Sequence, residues 1–178
     1  FLNNRVGVDL SLYQKTSSDL IIDLNLDPAT GFTNTTVNGA TVVNEGVELG
    51  LDFTPIRGKF QWDFTLNYTK NVGTVDEITG GVDQIQIAGF GGSLGNYAIP
   101  GQPYGIIQGS RFVRAEGTDE LFVNAQGSYV TDAGLQIIGN PQPNYTANWI
   151  NNFSYKGLSF GFQWQYIDGG DIYSSTVQ

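Results

Sequence analysis

The feature that most constrains the fold of this chain is a strict alternation of apolar and polar positions across residues 43–71. Two arms share this pattern, and residues 55–59 between them contain the Pro and Gly that a short chain reversal needs. A period of two residues, kept over about ten residues in each arm, is typical of a β-strand and not of a helix. The sequence therefore predicts a long β-hairpin. Its apolar face consists of Val47, Leu49, Leu51, Phe53, Phe60, Trp62, Phe64, Leu66 and Tyr68.

The length of the two arms and the chemistry of their faces indicate a membrane environment. Strands of soluble proteins typically have about five or six residues, whereas about ten are needed for a tilted strand to cross a bilayer. The apolar face is rich in aromatic side chains, and the opposite face is small or polar. A soluble β-sandwich also alternates, but its strands are shorter and its inward face favours Val, Ile and Leu. The hairpin therefore favours a strand pair of a membrane barrel.

Alternation also predicts strands near both ends of the chain. We expect a short turn at residues 15–18, a long polar loop at residues 27–42, and a tight turn at Lys156-Gly157. Asn151 interrupts the apolar face of the strand before the tight turn, whereas the face of the strand after it is uninterrupted. The additional strands predicted in this way are residues 5–14, 19–26, 145–155 and 158–167.

The predicted connections alternate in length along the chain. Short reversals at residues 15–18, 55–59 and 156–157 are separated by long stretches at residues 27–42 and 72–144. Such alternation is typical of an up-and-down barrel with tight periplasmic turns on one rim and long extracellular loops on the other. The longest stretch also contains two possible outlying strands, at residues 105–113 and 120–130.

The residue types that are absent exclude several kinds of function. The chain has no Cys and no His, so it has no thiolate or imidazole ligands for a metal and no catalysis that uses these groups. The net charge of −9 argues against nucleic acid, whose recognition needs a basic surface. No nucleophile and base can be paired. The sequence therefore predicts no enzymatic activity, no cofactor and no metal site.

Neither a membrane helix nor a signal peptide is evident in the sequence. No apolar run approaches the roughly 18 residues of a membrane helix, so a membrane-embedded chain of this sequence has to cross with strands. The chain opens at the start of a predicted strand and ends at Gln178 and not at an aromatic residue. We therefore expect it to be part of a longer or processed protein.

Three blocks of the sequence resemble a strand-rich region near the C-terminal end of SusC/RagA-type TonB-dependent transporters. The blocks occur in the order in which the family has them and span nearly the whole chain. The first is residues 3–10, NNRVGVDL, with Tyr13, Lys15 and residues 19–21; the second is residues 44–49, NEGVEL, with Trp62 and Asn67; the third is residues 138–145, IGNPQPNY, with residues 153–157 and 169–173.

The resemblance implies an all-β fold, specifically a segment of an antiparallel, up-and-down transmembrane β-barrel with long extracellular loops. Residues 1–178 would be part of one barrel domain, with the long loop region at about 72–144 and with the plug domain and terminal strands outside this chain. The implied role is uptake of oligosaccharides or peptides across the outer membrane of a Gram-negative bacterium. The implied partners are outer-membrane lipid, a SusD-like surface lipoprotein, and TonB, which would contact a part of the protein not present here.

One departure from the family concerns calcium. Many relatives carry a stretch rich in Asp, Asn and Gly before the third block, and that stretch looks like a calcium loop. Residues 121–134 lack the spaced carboxylates that a hard cation prefers, so we expect no calcium there.

Alternation assigns the candidate side chains to two faces of the predicted wall. Glu48, Asp52 and Asp63 are expected to face the lumen, where they either contact a polar solute or the plug or simply keep the wall hydrated. The expected lipid-facing side chains are Trp62, Phe64, Phe160, Phe162 and Trp164. In the large loop, the aromatic side chains expected to contact a substrate or a partner are Tyr97, Tyr104, Phe112 and Tyr129.

Two other interpretations of the same pattern stay open. A soluble, secreted β-sandwich or lectin-like carbohydrate-binding module would bury its aromatic faces against a second sheet of this chain. A passive porin-like barrel would differ in lacking a plug. The exposure of the aromatic faces distinguishes the sandwich from the two barrels.

Overall fold

The computed structural model of the protein describes residues 2–25, 28–32 and 34–176. Within these residues the chain is all-β, with nine strands and one 3₁₀ helix of three residues. No helix in this part of the chain is long and apolar enough to cross a membrane. The strands are β1 (Val6–Asn25), β2 (Asn34–Ile56), β3 (Phe60–Ile78), β4 (Ile85–Gly91), β5 (Leu94–Ala98), β6 (Ile106–Gly109), β7 (Gln136–Gly139), β8 (Pro143–Tyr155) and β9 (Leu158–Gly169), and the 3₁₀ helix is Pro28–Thr30.

The strands form two sheets, and the chain divides into two compact units. The five-stranded sheet has the order β1-β2-β3-β8-β9, and the four-stranded sheet has the order β4-β5-β6-β7. The first unit comprises Phe1–Thr16, Val43–Gly73 and Gln142–Gly170. The second unit comprises Ser17–Val42, Thr74–Pro141 and Asp171–Gln178.

Both predicted hairpins are present in the first unit. Residues 57–59 connect β2 to β3, and Lys156-Gly157 connects β8 to β9. Lys156 and Gly157 have φ values of 45° and 84°, and positive φ at both central residues is what a type I′ hairpin turn requires. Between the hairpins, β3 and β8 pair in antiparallel register from Phe60 opposite Tyr155 to Thr69 opposite Thr146.

The predicted turn at residues 15–18 is wrong, because β1 runs through it without a break. This segment contains neither Gly nor Pro, and its Ser and Thr side chains favour a turn only weakly, so they do not prevent an extended strand. Side chains just before it hold β1 in place: the Tyr13 hydroxyl donates to Asn71 Oδ1 (3.0 Å), and Gln14 Nε2 donates to Glu45 Oε1 (2.6 Å). Asp19, with a φ of 56°, is a local irregularity within the strand.

The predicted loop at residues 27–42 is mostly strand, because β2 already begins at Asn34. The Asn38-Gly39 pair, a strong turn signal on its own, lies within this strand. In the second unit the carbonyl of Gly39 accepts a hydrogen bond from the amide of Thr79 (2.6 Å). Residues 28–32 and 57–59 are thus the described parts of the connections on either side of β2.

The second unit has its own small core and its own sheet. Val75 is fully buried, and Tyr97, Ile106 and Ile107 are almost completely buried around the strands β5 and β6. The possible strand at residues 105–113 is present in a shorter form as β6. Residues 120–130 contain isolated bridge pairs and no strand of their own. The long stretch after β3 is therefore folded and hydrogen-bonded along most of its length.

Candidate functional site

A broad polar depression lies on one face of the first unit. It has a volume of about 500 Å³, and three of its lining side chains are the carboxylates of Asp9, Glu48 and Asp52. Glu48 and Asp52 belong to β2, and Asp9 belongs to β1. They meet because side chains two residues apart on a strand share a face, and β1 and β2 are neighbours. Ser11, Gly50 and Asn67 also line this depression.

Neighbouring hydroxyl and amide groups orient two of the predicted lumen carboxylates. Asp52 Oδ1 accepts a hydrogen bond from the Thr65 hydroxyl (2.7 Å). Asp63 accepts one from the Thr54 hydroxyl (2.8 Å) and one from Gln61 Nε2 (2.6 Å). Such a surface can hydrogen-bond a polar solute or water. Within the described residues, no group of three or more Asp, Glu, His or Cys side chains is arranged to hold a metal ion.

The opposite face of the same sheet is a continuous layer of aromatic rings across β3, β8 and β9. Phe153 is at its centre, with ring centroids 5.8 Å from Trp62, 6.4 Å from Phe160 and 6.2 Å from Phe162. Trp164 continues the layer, 5.8 Å from Phe162 and 6.1 Å from Trp149. Phe160 is 65% exposed and Trp164 is 60% exposed. None of the residues that the structure describes covers this layer, which is therefore a large exposed apolar surface.

Asn151, which interrupts the apolar pattern of β8, is accommodated by a tryptophan. Its Oδ1 accepts a hydrogen bond from the indole N–H of Trp62 (3.2 Å), and the residue is buried among its neighbours. The register places Phe64 and Phe162 directly opposite Asn151 on the two adjacent strands. A buried polar group needs such a partner. The break in the apolar pattern at Asn151 indicated that this side chain needs a polar contact. The sequence did not reveal that Trp62, which is far away in the chain, makes that contact.

Gln142 performs a structural role that the sequence did not reveal. Its side-chain Nε2 donates to the carbonyl of Gly73 (2.7 Å), and its Oε1 accepts from the amide of Gly73 (2.8 Å). Gln142 lies between Pro141 and Pro143, which have no N–H to offer to a neighbouring strand. The side-chain amide thus replaces a missing backbone pairing where β8 begins beside β3.

We expect Gln142→Ala to destabilise the protein by about 1–3 kcal/mol, because both backbone groups of the buried Gly73 would lose their partner. The free energy of unfolding of the full-length protein, from denaturant titration, measures the loss. Gln142→Glu keeps an acceptor but loses the donor, so it should also destabilise. Gln163→Ala is the matched control, because Gln163 is exposed. Equal stability of Gln142→Ala and the control would contradict the role of this amide.

The four aromatic residues predicted in the large loop have different surroundings in the second unit. Tyr97 is buried, and its hydroxyl donates to the carbonyl of Ser93 (2.8 Å), so we do not propose it as a contact for a ligand. Tyr104 is partly exposed. Phe112 and Tyr129 are exposed and lie together, with ring centroids 5.4 Å apart.

The chain is similar to curated receptors over nearly its whole length. It is 28% identical to TonB-dependent receptor P26 of Formosa agariphila over 99% of this chain and 20% of that protein. It is also 28% identical to TonB-dependent receptor P39 of the same organism, over 95% of this chain and 21% of that protein. The chain thus spans about a fifth of the length of these relatives. No protein-family model matches it.

Solved structures with the same fold include the RagAB peptide importer in its "closed-closed" state. The TM-score is 0.71 at 22% identity, covering 94% of this chain and 20% of that chain. The "open-open" state gives a TM-score of 0.70 at 20% identity, covering 94% and 19%. These likenesses and the receptors confirm the predicted resemblance to SusC/RagA-type TonB-dependent transporters. They also confirm the all-β, antiparallel fold class, as a part of a barrel. The relatives are named receptors and importers, and none of them is named an enzyme.

Proposed function

We propose that this chain is part of the barrel wall and outer loops of a TonB-dependent transporter in the outer membrane of a Gram-negative bacterium. It would act in uptake and carry out no catalysis. Residues 1–178 would belong to one barrel domain, with residues at about 72–144 on the extracellular side. The plug domain and the segment that contacts TonB would lie in other parts of the protein.

The observation that carries this proposal is the two-faced sheet of the first unit. One face is an open layer of aromatic rings, and the other carries carboxylates, amides and hydroxyls. Lipid is the environment that an exposed aromatic layer fits, and a water-filled lumen is the environment that the polar face fits. On this basis Trp62, Phe64, Phe160, Phe162 and Trp164 would face lipid, and Glu48, Asp52 and Asp63 would face the lumen.

The dimensions and charge of the first unit also support a membrane wall. Its portions of the five strands have 11 to 14 residues each, close to the roughly 9–11 that a tilted strand needs to cross a bilayer. It contains six acidic and six basic residues, so its net charge is zero. The sheet has two edge strands, β1 and β9, and a bilayer tolerates no unpaired edges. Further strands of the complete protein would pair with both.

Oligosaccharides or peptides are the substrate classes that we propose, together with a SusD-like lipoprotein as surface partner. The support is the similarity to receptors called TonB-dependent and to a structure described as a peptide importer. The rival sandwich or lectin-like module is disfavoured because its aromatic face would need a cover, whereas Phe160 and Trp164 are mostly exposed.

Single cysteines at adjacent positions of β9 test the wall directly. This stretch has no native Cys, so Ser159→Cys and Phe160→Cys can each carry one nitroxide label in a full-length protein without other reactive cysteines. In native outer membranes, we expect the label at position 160 to collide mainly with dissolved oxygen, which concentrates in lipid. The label at position 159 should collide mainly with a water-soluble nickel chelate, because neighbouring side chains of a strand lie on opposite faces.

Equal access of the nickel chelate to both labels would contradict the proposal that this sheet is part of a membrane-spanning barrel wall. So would recovery of the full-length protein as a soluble species without detergent, which is the behaviour expected of the sandwich. The transport role is tested separately. If the labels respond as expected, but deletion of the gene leaves uptake of oligosaccharides and peptides unchanged, the assignment to a barrel wall stands and the transport role is refuted.

A further inference from the structure

The segment that follows β9 contacts the four-stranded sheet of the second unit at two places. Asp171 and Asn140 exchange two hydrogen bonds: the Asn140 amide donates to Asp171 Oδ2 (2.7 Å), and the Asp171 amide donates to the Asn140 carbonyl (2.8 Å). Two residues later, the Tyr173 ring stacks on the Phe90 ring, with centroids 5.2 Å apart and ring planes 9° apart. We call residues 171–173 the strap.

The strap reaches both outer strands of this sheet. Asn140 directly follows β7, and Phe90 lies near the end of β4. In the order β4-β5-β6-β7 these two strands are at opposite edges, so one short segment joins both edges. β4 benefits from such support, because its register to β5 shifts twice and most of its side chains are exposed. The strap therefore connects two strands that are not neighbours in the sheet.

Gly139 makes room for the strap at the end of β7. A Cβ at this position would lie 2.9 Å from Asp171 Cβ and 3.1 Å from Asp171 Oδ2, and side-chain carbons do not come as close as the first of these distances. The absence of a side chain on Gly139 thus lets Asp171 approach closely enough to bond both backbone groups of Asn140. This fit indicates a specific seat for the strap.

Two glycines directly before the strap give it a flexible base. Gly169 and Gly170 have φ values of 71° and 85°, a conformation that glycine adopts without the strain that other residues incur. The strap itself buries little, since Ile172 is 90% exposed. A segment with a flexible base and few buried contacts opens locally at a lower cost in free energy than the sheet on which it lies.

We infer that the strap is a latch of the four-stranded sheet, and that residues 171–173 open as one unit about Gly169-Gly170 while the sheet stays folded. The closed latch holds the end of β7 and the edge strand β4 together. The open latch releases both strands and uncovers the Phe90 ring. Because only one residue separates Asp171 from Tyr173, loss of either contact leaves the other without its anchor, so the two contacts open together.

Amide hydrogen exchange in the folded, full-length protein tests the latch, because exchange reports how often a hydrogen bond opens. We expect Tyr173→Ala to speed exchange of the Asn140 and Asp171 amides about threefold or more, although this side chain takes part in neither hydrogen bond. Ile172→Ala is the matched control, because it truncates the exposed neighbouring side chain. After correction for intrinsic rates, the control should leave both exchange rates within about twofold of the unsubstituted protein. The protection of β5 and β6 should be the same in all three proteins.

A cross-link tests the latch in the opposite direction. Phe90→Cys and Tyr173→Cys are combined in a full-length protein without other reactive cysteines and bridged by a short bifunctional thiol reagent. Bridging should slow exchange of the Asn140 and Asp171 amides relative to the same protein before bridging. Unchanged exchange of these amides in both Tyr173→Ala and the bridged protein would overturn the latch. So would an equal loss of protection in β5 and β6, because the sheet would then unfold together with the strap. Neither measurement depends on uptake, so the latch and the transport role fail independently.

Discussion

Phe162→Arg is expected to destabilise the full-length protein in a lipid bilayer by about 2–4 kcal/mol, the cost of placing an Arg on the lipid face near the membrane midplane. Phe162 is in the middle part of β9, and its ring contacts Phe153 and Trp164 within the aromatic layer. The substitution removes these ring contacts. It also places a guanidinium among aromatic neighbours, because Asp168, a carboxylate on the same face of β9, lies six residues further along the strand and is too far away to pair with it.

The free energy of unfolding from lipid vesicles measures this effect, with Gln163→Arg as the control. Gln163 is the next residue of β9, so its side chain lies on the polar face, where an Arg meets water. We expect Gln163→Arg to lower the free energy of unfolding by less than about 1 kcal/mol, as is usual for a substitution at an exposed position. Equal losses of stability in the two variants, or a larger loss in Gln163→Arg, would contradict the assignment of the aromatic face to lipid and of the polar face to water.

Gly95→Ala is expected to destabilise the second unit by about 1–3 kcal/mol or more, through overpacking against the backbone. A Cβ at Gly95 would overlap the carbonyl oxygen of Ala88 on the neighbouring strand and would lie 2.6 Å from Gln86 Nε2. The Gln86 side chain can move away, but the Ala88 carbonyl cannot do so without opening β4 from β5. Gly95 also pairs with Gln108 on β6, so the disturbance reaches the centre of the four-stranded sheet.

The matched control is Gly89→Ala. Gly89 is directly opposite Gly95 in the β4–β5 register, but its added Cβ would meet the movable Gln86 Nε2 at 3.3 Å. Limited proteolysis of the full-length protein within residues 85–109, together with its thermal unfolding, should show damage in Gly95→Ala and little change in Gly89→Ala. Identical proteolysis of both variants would show that β4 and β5 are not packed as closely as described.

Local patterns were sufficient to predict the hairpins of the first unit. The alternation around Trp62 and Phe162 gave both the strands and the distribution of their side chains, because every second side chain of a strand lies on the same face regardless of what pairs with it. Lys156-Gly157 was also predictable as a turn, because a two-residue reversal with positive φ depends on the residues within it. The blocks that resemble SusC/RagA-type transporters identified the relatives correctly.

The same local reasoning failed where distant residues decide the conformation. Asn38-Gly39 is a turn signal in isolation, yet it lies within β2, and residues 15–18 lie within β1, because neighbouring strands offer hydrogen bonds along these segments. From the sequence, the four aromatic side chains of the large loop were all expected to contact a substrate or a partner. The tertiary structure separates Tyr97, which is buried, from Phe112 and Tyr129, which are exposed and in contact.

The sequence by itself therefore determined the class of fold and the two faces of the strands, since both follow from the period of the side chains along the backbone. The tertiary structure alone decided which residues meet. Gln142 binds the backbone of Gly73 across 69 residues, and Trp62 binds Asn151 across 89 residues. The register between β3 and β8 brings such pairs together. No hairpin turn joins these two strands, so their register depends on how segments distant in the chain align with one another.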